Sequence, residues 1–378
     1  MIYLDNAATT LIKPLTVSSA MLHALRSCAS PGRGAHRAAM LAAETVFRCR
    51  ESAAALFHVS EPERVVFTMN ATHALNIAIC SLAHPGSKVL ISGYEHNAVT
   101  RPLKKLGAEL LVAESPLFDR EACLRAFEQK ITEAELVVCT MVSNVFGFIL
   151  PIGQIARLCR QKRVPLIVDA SQAAGVLDID FEGLGASFIC MPGHKGLFGP
   201  QGTGILLCGE RGEPLLAGGS GSDSLLQEMP DYLPDRLEAG THNVPGIAGL
   251  AAGIDYVRTR GPAKILEKEQ ALLSDLIARL RGVEGLELFV GPEGSQSGVL
   301  SLRMQGLDCE EAAARLSERG ICVRSGLHCA PLAHRSAGTL ETGTVRLSLS
   351  PFVQPEEIRS CCKTIREITH ESGGRALS

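Results

Sequence analysis

A lysine set in a run of glycines offers the most specific chemistry in this sequence. In SFICMPGHKGLFGPQGTG, residues 187–204, the apolar run Phe188–Met191 reads as a buried strand. It is expected to stop at Pro192, which has no N–H to give a ladder. Lys195 follows among Gly193, Gly196, Gly199, Gly202 and Gly204, which let a backbone approach a ligand closely at an entropic cost. A lysine held in such a loop can form a Schiff base with a carbonyl compound once its surroundings lower its pKa. Two other readings compete. A nucleotide-binding P-loop needs Ser or Thr after Gly-Lys, and here Gly196 follows Lys195. A plain surface loop would carry an ordinary solvated lysine.

A second strand pattern, PLIVDA, delivers Asp169 at its end, with Ser171 and Gln172 just beyond. A buried aspartate is costly unless a cation faces it. The protonated ring nitrogen of pyridoxal phosphate (PLP) is such a cation, and an Asp partner keeps that ring an electron sink. The competing reading is a magnesium-binding aspartate, for which no P-loop supplies the phosphates. In TMNATHALNIA, Ala71 and Thr72 open a helix after a strand, so their free amides and one hydroxyl suit a phosphate. Simple capping by Asn70 or Thr72 is compatible with that. His96 of SGYEHNAV can stack on an aromatic cofactor and move protons, or be a structural histidine. Asn144 of SNVFG can serve a phenolic oxygen, or form a turn before Gly147.

Near the other end of the chain, RSGLHCAPLAHR places Cys329 in a Gly- and Pro-bounded loop beside His328, with Arg324, His334 and Arg335 close in sequence. Positive neighbours raise a thiol's thiolate fraction, so this cysteine has a reactive setting. A zinc site built on His328, Cys329 and His334 lacks a fourth ligand. Arg346, in TVRLSLS, can clamp a carboxylate with its planar fork, or be an ordinary edge-strand arginine.

These residues need a scaffold that gathers strand ends. Strands are expected at Val65–Thr68, Lys88–Ser92, Glu109–Ala113, Leu136–Val142, Pro165–Asp169 and Phe188–Met191, with helical patterns between most of them. That order implies βαβ units and a mainly parallel sheet, whose ligands bind at the carboxyl ends of the strands. Gly204–Cys208 follows too closely for a crossover and is expected to be antiparallel. Helical patterns over 244–260 and 261–281, then GVLSLRM, a helix near 308–319, ICV, TVRLSLS and a helix over 355–370 suggest a smaller α+β unit. The expected division is an N-terminal segment 1–15, a large domain 16–258 and a small domain 259–378, with a frayed tail SGGRALS.

Composition narrows the function classes. The chain has 378 residues, 46% of them hydrophobic, and 37 basic against 40 acidic residues give a net charge of −3. Without a block of one sign, neither nucleic acid nor an anionic membrane is an expected partner. MIYLDNAATT lacks the pattern of a signal peptide, and no apolar run reaches bilayer length. The 13 cysteines are scattered, with no CxxC pair. Reduced thiols in the cytoplasm are therefore expected, and Cys80, Cys139, Cys190 and Cys208 read as small buried hydrophobes.

Taken together, YLDNAATT, RGAH (33–36), EHNAV, VSNVFG, VDASQAAG, GHKGLFGPQGTG, EAGTHN and RSGLHCA give the chain a resemblance, over nearly its whole length, to the class V aminotransferase family of PLP enzymes. Within it the cysteine desulfurases and selenocysteine lyases are most similar. The resemblance implies PLP fold type I, an α/β architecture with a mainly parallel seven-stranded sheet, and a homodimer with the active site at the subunit interface. It implies that Lys195 holds PLP covalently and shuttles a proton, that Asp169 pairs with the pyridinium, and that His96 stacks on the ring. Asn144 and Gln172 would contact the phenolic oxygen. Ala71, Thr72, His194 and, from a partner subunit, Thr241 would hold the phosphate. Arg346 would bind the substrate carboxylate, with Asn6, Ala8 and His36 lining the pocket. Cys329 would be the nucleophile that takes sulfur from L-cysteine, leaving alanine and a persulfide for a protein acceptor. Same-family alternatives are a selenocysteine lyase acting on L-selenocysteine, or a lyase whose chemistry ends on the cofactor. A different class is a non-catalytic sulfur carrier or regulator. Departures occur at Pro192, where desulfurases usually carry a hydroxyl, at Asn70 and Ala71, where they carry Gly-Thr, and at Leu327, where a histidine is common.

Overall fold

The computed structural model describes residues 1–32, 34–223 and 225–373, with side chains as far as Glu371. Arg33 of the RGAH motif and the end of the expected frayed tail lie outside the described residues. In the first part of the chain, β1 (Ile2–Tyr3), α1 (Leu15–Ser27) and α2 (Arg37–Phe57) precede an alternating series. The series runs β2 (Val65–Thr68), α3 (Ala71–Leu82), β3 (Lys88–Ser92), α4 (Asn97–Leu106), β4 (Glu109–Ala113), α5 (Arg120–Lys130), β5 (Leu136–Thr140) and α6 (Ile152–Lys162). It closes with β6 (Leu166–Asp169), a short α7 (Phe181–Leu184), β7 (Phe188–Pro192) and β8 (Gly204–Cys208).

These strands form one seven-stranded sheet in the order β2-β8-β7-β6-β5-β3-β4. β8 is antiparallel to both its neighbours, as the short β7–β8 connection requires, and among the described residues the other pairings of this sheet are parallel. Strict alternation explains why the central strands are apolar at every position. Val137, Cys139 and Val168 enter the core on one face, while Leu136, Val138 and Ile167 enter the core on the other. Helices cover both faces.

The second half continues with α8 (Val244–Arg260) and α9 (Pro262–Leu280), separated by Gly261. Then come β9 (Leu286–Phe289), β10 (Val299–Met304), α10 (Cys309–Glu318), β11 (Ile321–Cys322), β12 (Arg324–Gly326), α11 (Pro331–Ser336), β13 (Thr344–Ser348) and α12 (Pro355–Gly373). An antiparallel sheet, β12-β13-β10-β9, packs its apolar face under α9, α10 and α12 in a core of its own. β1 crosses to this half and pairs in parallel with β11.

Four sequence expectations change. Pro192 belongs to β7 as its last residue, opposite Gly204, rather than lying beyond it. β5 ends at Thr140, before the turn that carries Asn144. The closing helix runs to Gly373 instead of His370. Cys80 is exposed because it falls on the outer face of α3, while Cys139, Cys190 and Cys208 are buried on strands. Among the described residues no helix is long and apolar enough to cross a membrane.

Candidate active site

Because β2, β3, β5, β6 and β7 run in parallel, their carboxyl ends meet on one edge, and each is followed by a polar residue. A cavity of about 200 Å³ opens there. The chain after β2 lends it Asn70, Ala71 and Thr72, β3 is followed by His96, and β5 by Asn144; β6 ends in Asp169 and β7 is followed by His194 and Lys195. Ala7 and Ala8 of the N-terminal segment and Gln172 also line it, and β12 and β13 close it with Arg324 and Arg346. Lys195, Asp169, His96, Asn144, Gln172, Ala71, Thr72, His194, Arg346 and Ala8 thus come together from across the chain.

Lys195 loses so much hydration here that its amine drops to about 8; Asp169 opposes the shift, while Arg346 and Arg324 add to it. Asp169 is 3% exposed, and its Oδ1 accepts from the Ser171 N–H at 2.9 Å. His96 caps α4, its Nδ1 accepting from the Ala98 N–H at 3.0 Å, which leaves the proton on Nε2. Burial holds its pKa below the ordinary histidine value, so the ring is neutral near pH 7. His194 falls to about 4 for the same first cause, with Lys195 and Lys13 adding to it. Its backbone carbonyl accepts from the Thr10 N–H at 3.1 Å, whereas its Nδ1 is buried with no protein partner. α3 begins at Ala71, so the amides of Ala71 and Thr72 have no intrahelical acceptor; the Asn70 side chain caps the His73 N–H at 2.9 Å. Capping and an anion cradle therefore coexist at this helix end.

The cysteine loop is built differently. His328 and Cys329 both have left-handed backbones, with φ of 48° and 56°, a conformation unfavourable for side chains of this kind. Two hydrogen bonds from the turn after β5 and the start of α4 hold the loop. Asn144 Nδ2 donates to the His328 carbonyl at 2.8 Å, and the Asn97 N–H donates to the Cys329 carbonyl at 2.7 Å. His328 lines the cavity, and Cys329, the next residue in the chain, is exposed. The expectation of positively charged histidines around this thiol is corrected. His328 is buried with Nε2 against Thr344, and burial with Arg346 nearby drops it to about 2. His334, stacked on it at 5.7 Å, falls to about 4 by burial. Both rings are neutral, so the histidines bring no positive charge to this loop; the cationic side chains lining the adjoining cavity are Lys195, Arg324 and Arg346.

Arg346 is 1% exposed and far from an edge-strand residue. Its Nη2 donates to Asp5 Oδ1 at 2.7 Å and its Nη1 to the Asn144 carbonyl at 2.9 Å, while Nε is buried without a partner. Asp5 was not singled out from the sequence, although YLDNAATT contains it. Glu95 was also passed over. Its Oε1 accepts from the Ser92 hydroxyl and the Thr140 N–H, and burial raises it to about 8. A carboxylate next to His96 in the same motif was the available signal. Three expected residues stand apart. Asn6 is buried with its amide on the Ser348 carbonyl and faces a neighbouring cavity. His36 caps α2 through the Ala39 N–H and is exposed, and Thr241 borders a separate groove with Met69 and His73.

The residues present fit PLP. An unpartnered buried His194 Nδ1 and two open amides at a helix end suit its phosphate, a buried carboxylate suits its ring nitrogen, and a lysine of lowered pKa suits its aldehyde. Gln172 spends its amide on the Ala7 carbonyl at 3.0 Å, so its oxygen remains for other partners.

Over nearly its whole length the chain is similar to known proteins. A protein of Methanothermobacter thermautotrophicus described as a probable cysteine desulfurase is 34% identical, over 97% of this chain and 94% of its own length. One of Pyrococcus abyssi with the same description is 32% identical over the same shares. A solved cysteine desulfurase from Thermococcus onnurineus superposes with a TM-score of 0.88 at 31% identity, covering 98% of this chain and 95% of that one. The family model for class-V aminotransferases matches residues 2–360, and the chain belongs to that family.

Proposed function

We propose that this protein is a PLP-dependent cysteine desulfurase, converting L-cysteine to L-alanine and leaving the sulfur as a persulfide on Cys329. The observation that carries this reading is the pairing of two reactive groups across one cavity. Lys195 and Asp169 line it, and an exposed Cys329 directly follows its wall residue His328 on a loop held by Asn144. PLP, when bound, supplies an electron sink for the carbon that loses its proton.

The chain's own residues do the rest. Arg346 binds the substrate carboxylate with donors that Asp5 and Asn144 leave free. Lys195, with a pKa near 8, accepts the α-proton at Nζ and returns a proton to carbon. The Cys329 thiolate attacks the substrate sulfur. An S–S bond forms, the Cβ–S bond breaks, and its electron pair goes to carbon, which takes up a proton to complete alanine. His96 Nε2–H would serve the cofactor ring and His194 Nδ1 its phosphate, while Asn144 and Gln172 would serve its phenolic oxygen. The backbone amides of Ala71 and Thr72 would compensate for the hydroxyls missing at Pro192 and Ala71. Exposure of Cys329 suits delivery to a protein acceptor. The thirteen cysteines, all free, suit a reducing cytoplasm.

A homodimer accords with an apolar surface on the N-terminal segment, α1 and α2. Leu15 is 85% exposed, and Leu11, Ile12, Leu25, Met40 and Phe47 are also exposed. Thr241 and His36 would then complete sites across the subunit boundary, within a large unit ending near 258 and a small one starting near 259.

Sulfide and alanine release from L-cysteine by the PLP-loaded protein tests the reading, alongside Lys195→Ala and Cys329→Ala. Equal release of both products, lost in either variant, is expected. Full activity of Cys329→Ala would remove the persulfide step.

A further inference from the structure

Behind the first cavity lies a smaller one of about 40 Å³, and Lys195 and Gln172 border both. Asn6, Ser297, Ser348, Ser350 and Glu269 also line it, so the N-terminal segment, both sheets and α9 meet there. Glu269 occupies a place where the helical period asks for an apolar residue, between Ile265 and Leu272 on the buried stripe of α9. It is 8% exposed and makes no hydrogen bond or ion pair among the described residues. Gly298 gives its carboxylate room, since a Cβ there would stand 3.0 Å from Glu269 Oε2.

No protein cation serves this carboxylate. Burial alone raises it to about 8, with no charged neighbour contributing. Lys195, the one other titratable side chain on the cavity wall, answers instead to Asp169, Arg346, Arg324 and Asp5. Two of the remaining polar side chains, the amides of Asn6 and Gln172, have oxygens to spare. Asn6 Nδ2 is spent on the Tyr3 and Ser348 carbonyls, and Gln172 Nε2 on that of Ala7, which leaves both amide oxygens unengaged. Ser348 already donates to the Leu4 carbonyl, and Ser350 Oγ accepts from the Phe352 N–H. Unengaged hard oxygens around one buried negative charge are the donor set of a cation site. One carboxylate balances one charge, so a divalent ion would leave a net charge buried. Among the described residues no group of three His, Cys, Asp or Glu could hold a metal ion.

We propose that this cavity binds one monovalent cation of the sodium or potassium class, with Glu269 supplying the charge and Asn6, Ser297 and Ser350 supplying neutral oxygens. The ion would tie the N-terminal segment and the small sheet to the loop that carries Lys195. The proposal stands apart from the desulfurase reading, since it concerns ion binding and needs no turnover.

Thermal unfolding of the full chain in potassium, sodium and tetramethylammonium chloride, at equal ionic strength, tests it, because tetramethylammonium is too large to enter. A Tm higher by about 2 °C in sodium or potassium is expected, with the difference abolished in Glu269→Gln. Equal Tm values in all three salts would overturn the proposal, leaving Glu269 neutralised by a proton. So would a difference that persists in Glu269→Gln. Should that variant not fold, wild-type crystals soaked in rubidium chloride decide the matter. An anomalous peak beside Glu269 supports the site, and a cavity without one overturns it.

Discussion

Lys195 and Cys329 serve one cavity, yet different physics holds them. Lys195 follows a central strand whose neighbours on both sides are buried, so the large sheet fixes it wherever the rest of the molecule sits. Cys329 lies on a loop with two left-handed residues, stabilised by bonds from Asn144, in the turn after β5, and Asn97, at the start of α4. The first group is preformed by packing; the second is placed by a contact between halves of the molecule. A reaction that needs a fixed proton carrier and a nucleophile that must later deliver its cargo is suited by that division.

Removing the fixed partner should have the largest effect. Lys195→Ala is expected to cut turnover of L-cysteine at least ~10³-fold and to abolish the visible absorbance of the lysine-bound cofactor, as read by spectrophotometry. A Cys329→Ala protein should keep that absorbance and lose sulfide release; a loss of both would mean that the loop also shapes the cofactor site. The amine offers a sharper probe in cofactor-free protein. Its pKa of about 8 lies below the ordinary lysine value, so the neutral amine accumulates as pH rises through 8. Coupling to a carbonyl reagent should accelerate with a midpoint there, and a midpoint near the usual lysine value would contradict the desolvated setting.

Smaller effects probe the contact between halves. Arg346→Lys keeps the charge but loses the fork, and KM for L-cysteine should rise by about 10- to 100-fold, with kcat less affected. Asn144→Ala frees the His328 carbonyl. Alkylation of Cys329 by iodoacetamide in cofactor-free protein should then quicken by about 2- to 10-fold, the worth of one hydrogen bond. An unchanged alkylation rate would show that Asn97 alone suffices.

The same contrast decides what could be read from the sequence. Val65–Thr68, Lys88–Ser92 and Gly204–Cys208 are legible to the residue because strands buried on both faces must be apolar throughout, with polar or glycine punctuation at their ends. Asp169 and Lys195 inherit that clarity by following such strands. β12, Arg324–Gly326, has no apolar signal at all, since its residues face the cavity or solvent. The neutrality of His328 and His334 depends on burial by segments distant in sequence, so their types alone suggested charge. Asp5 and Glu269 escaped for a related reason: each matters through a cavity that only the assembled halves enclose.

The pairing of β1 with β11 also has a temporal meaning. Tyr3 lies beside Cys322, and Asp5 reaches Arg346 across 341 positions. During synthesis residues 2–5 emerge long before their partners and must therefore wait, unpaired, until residues 321–346 have left the ribosome. The large sheet can form in the interval, because its strands lie between residues 65 and 208. Closure of the carboxylate-binding corner by Asp5 is then among the last steps of maturation, so a nascent chain cut short before β13 would own a lysine loop and no means of gripping a substrate.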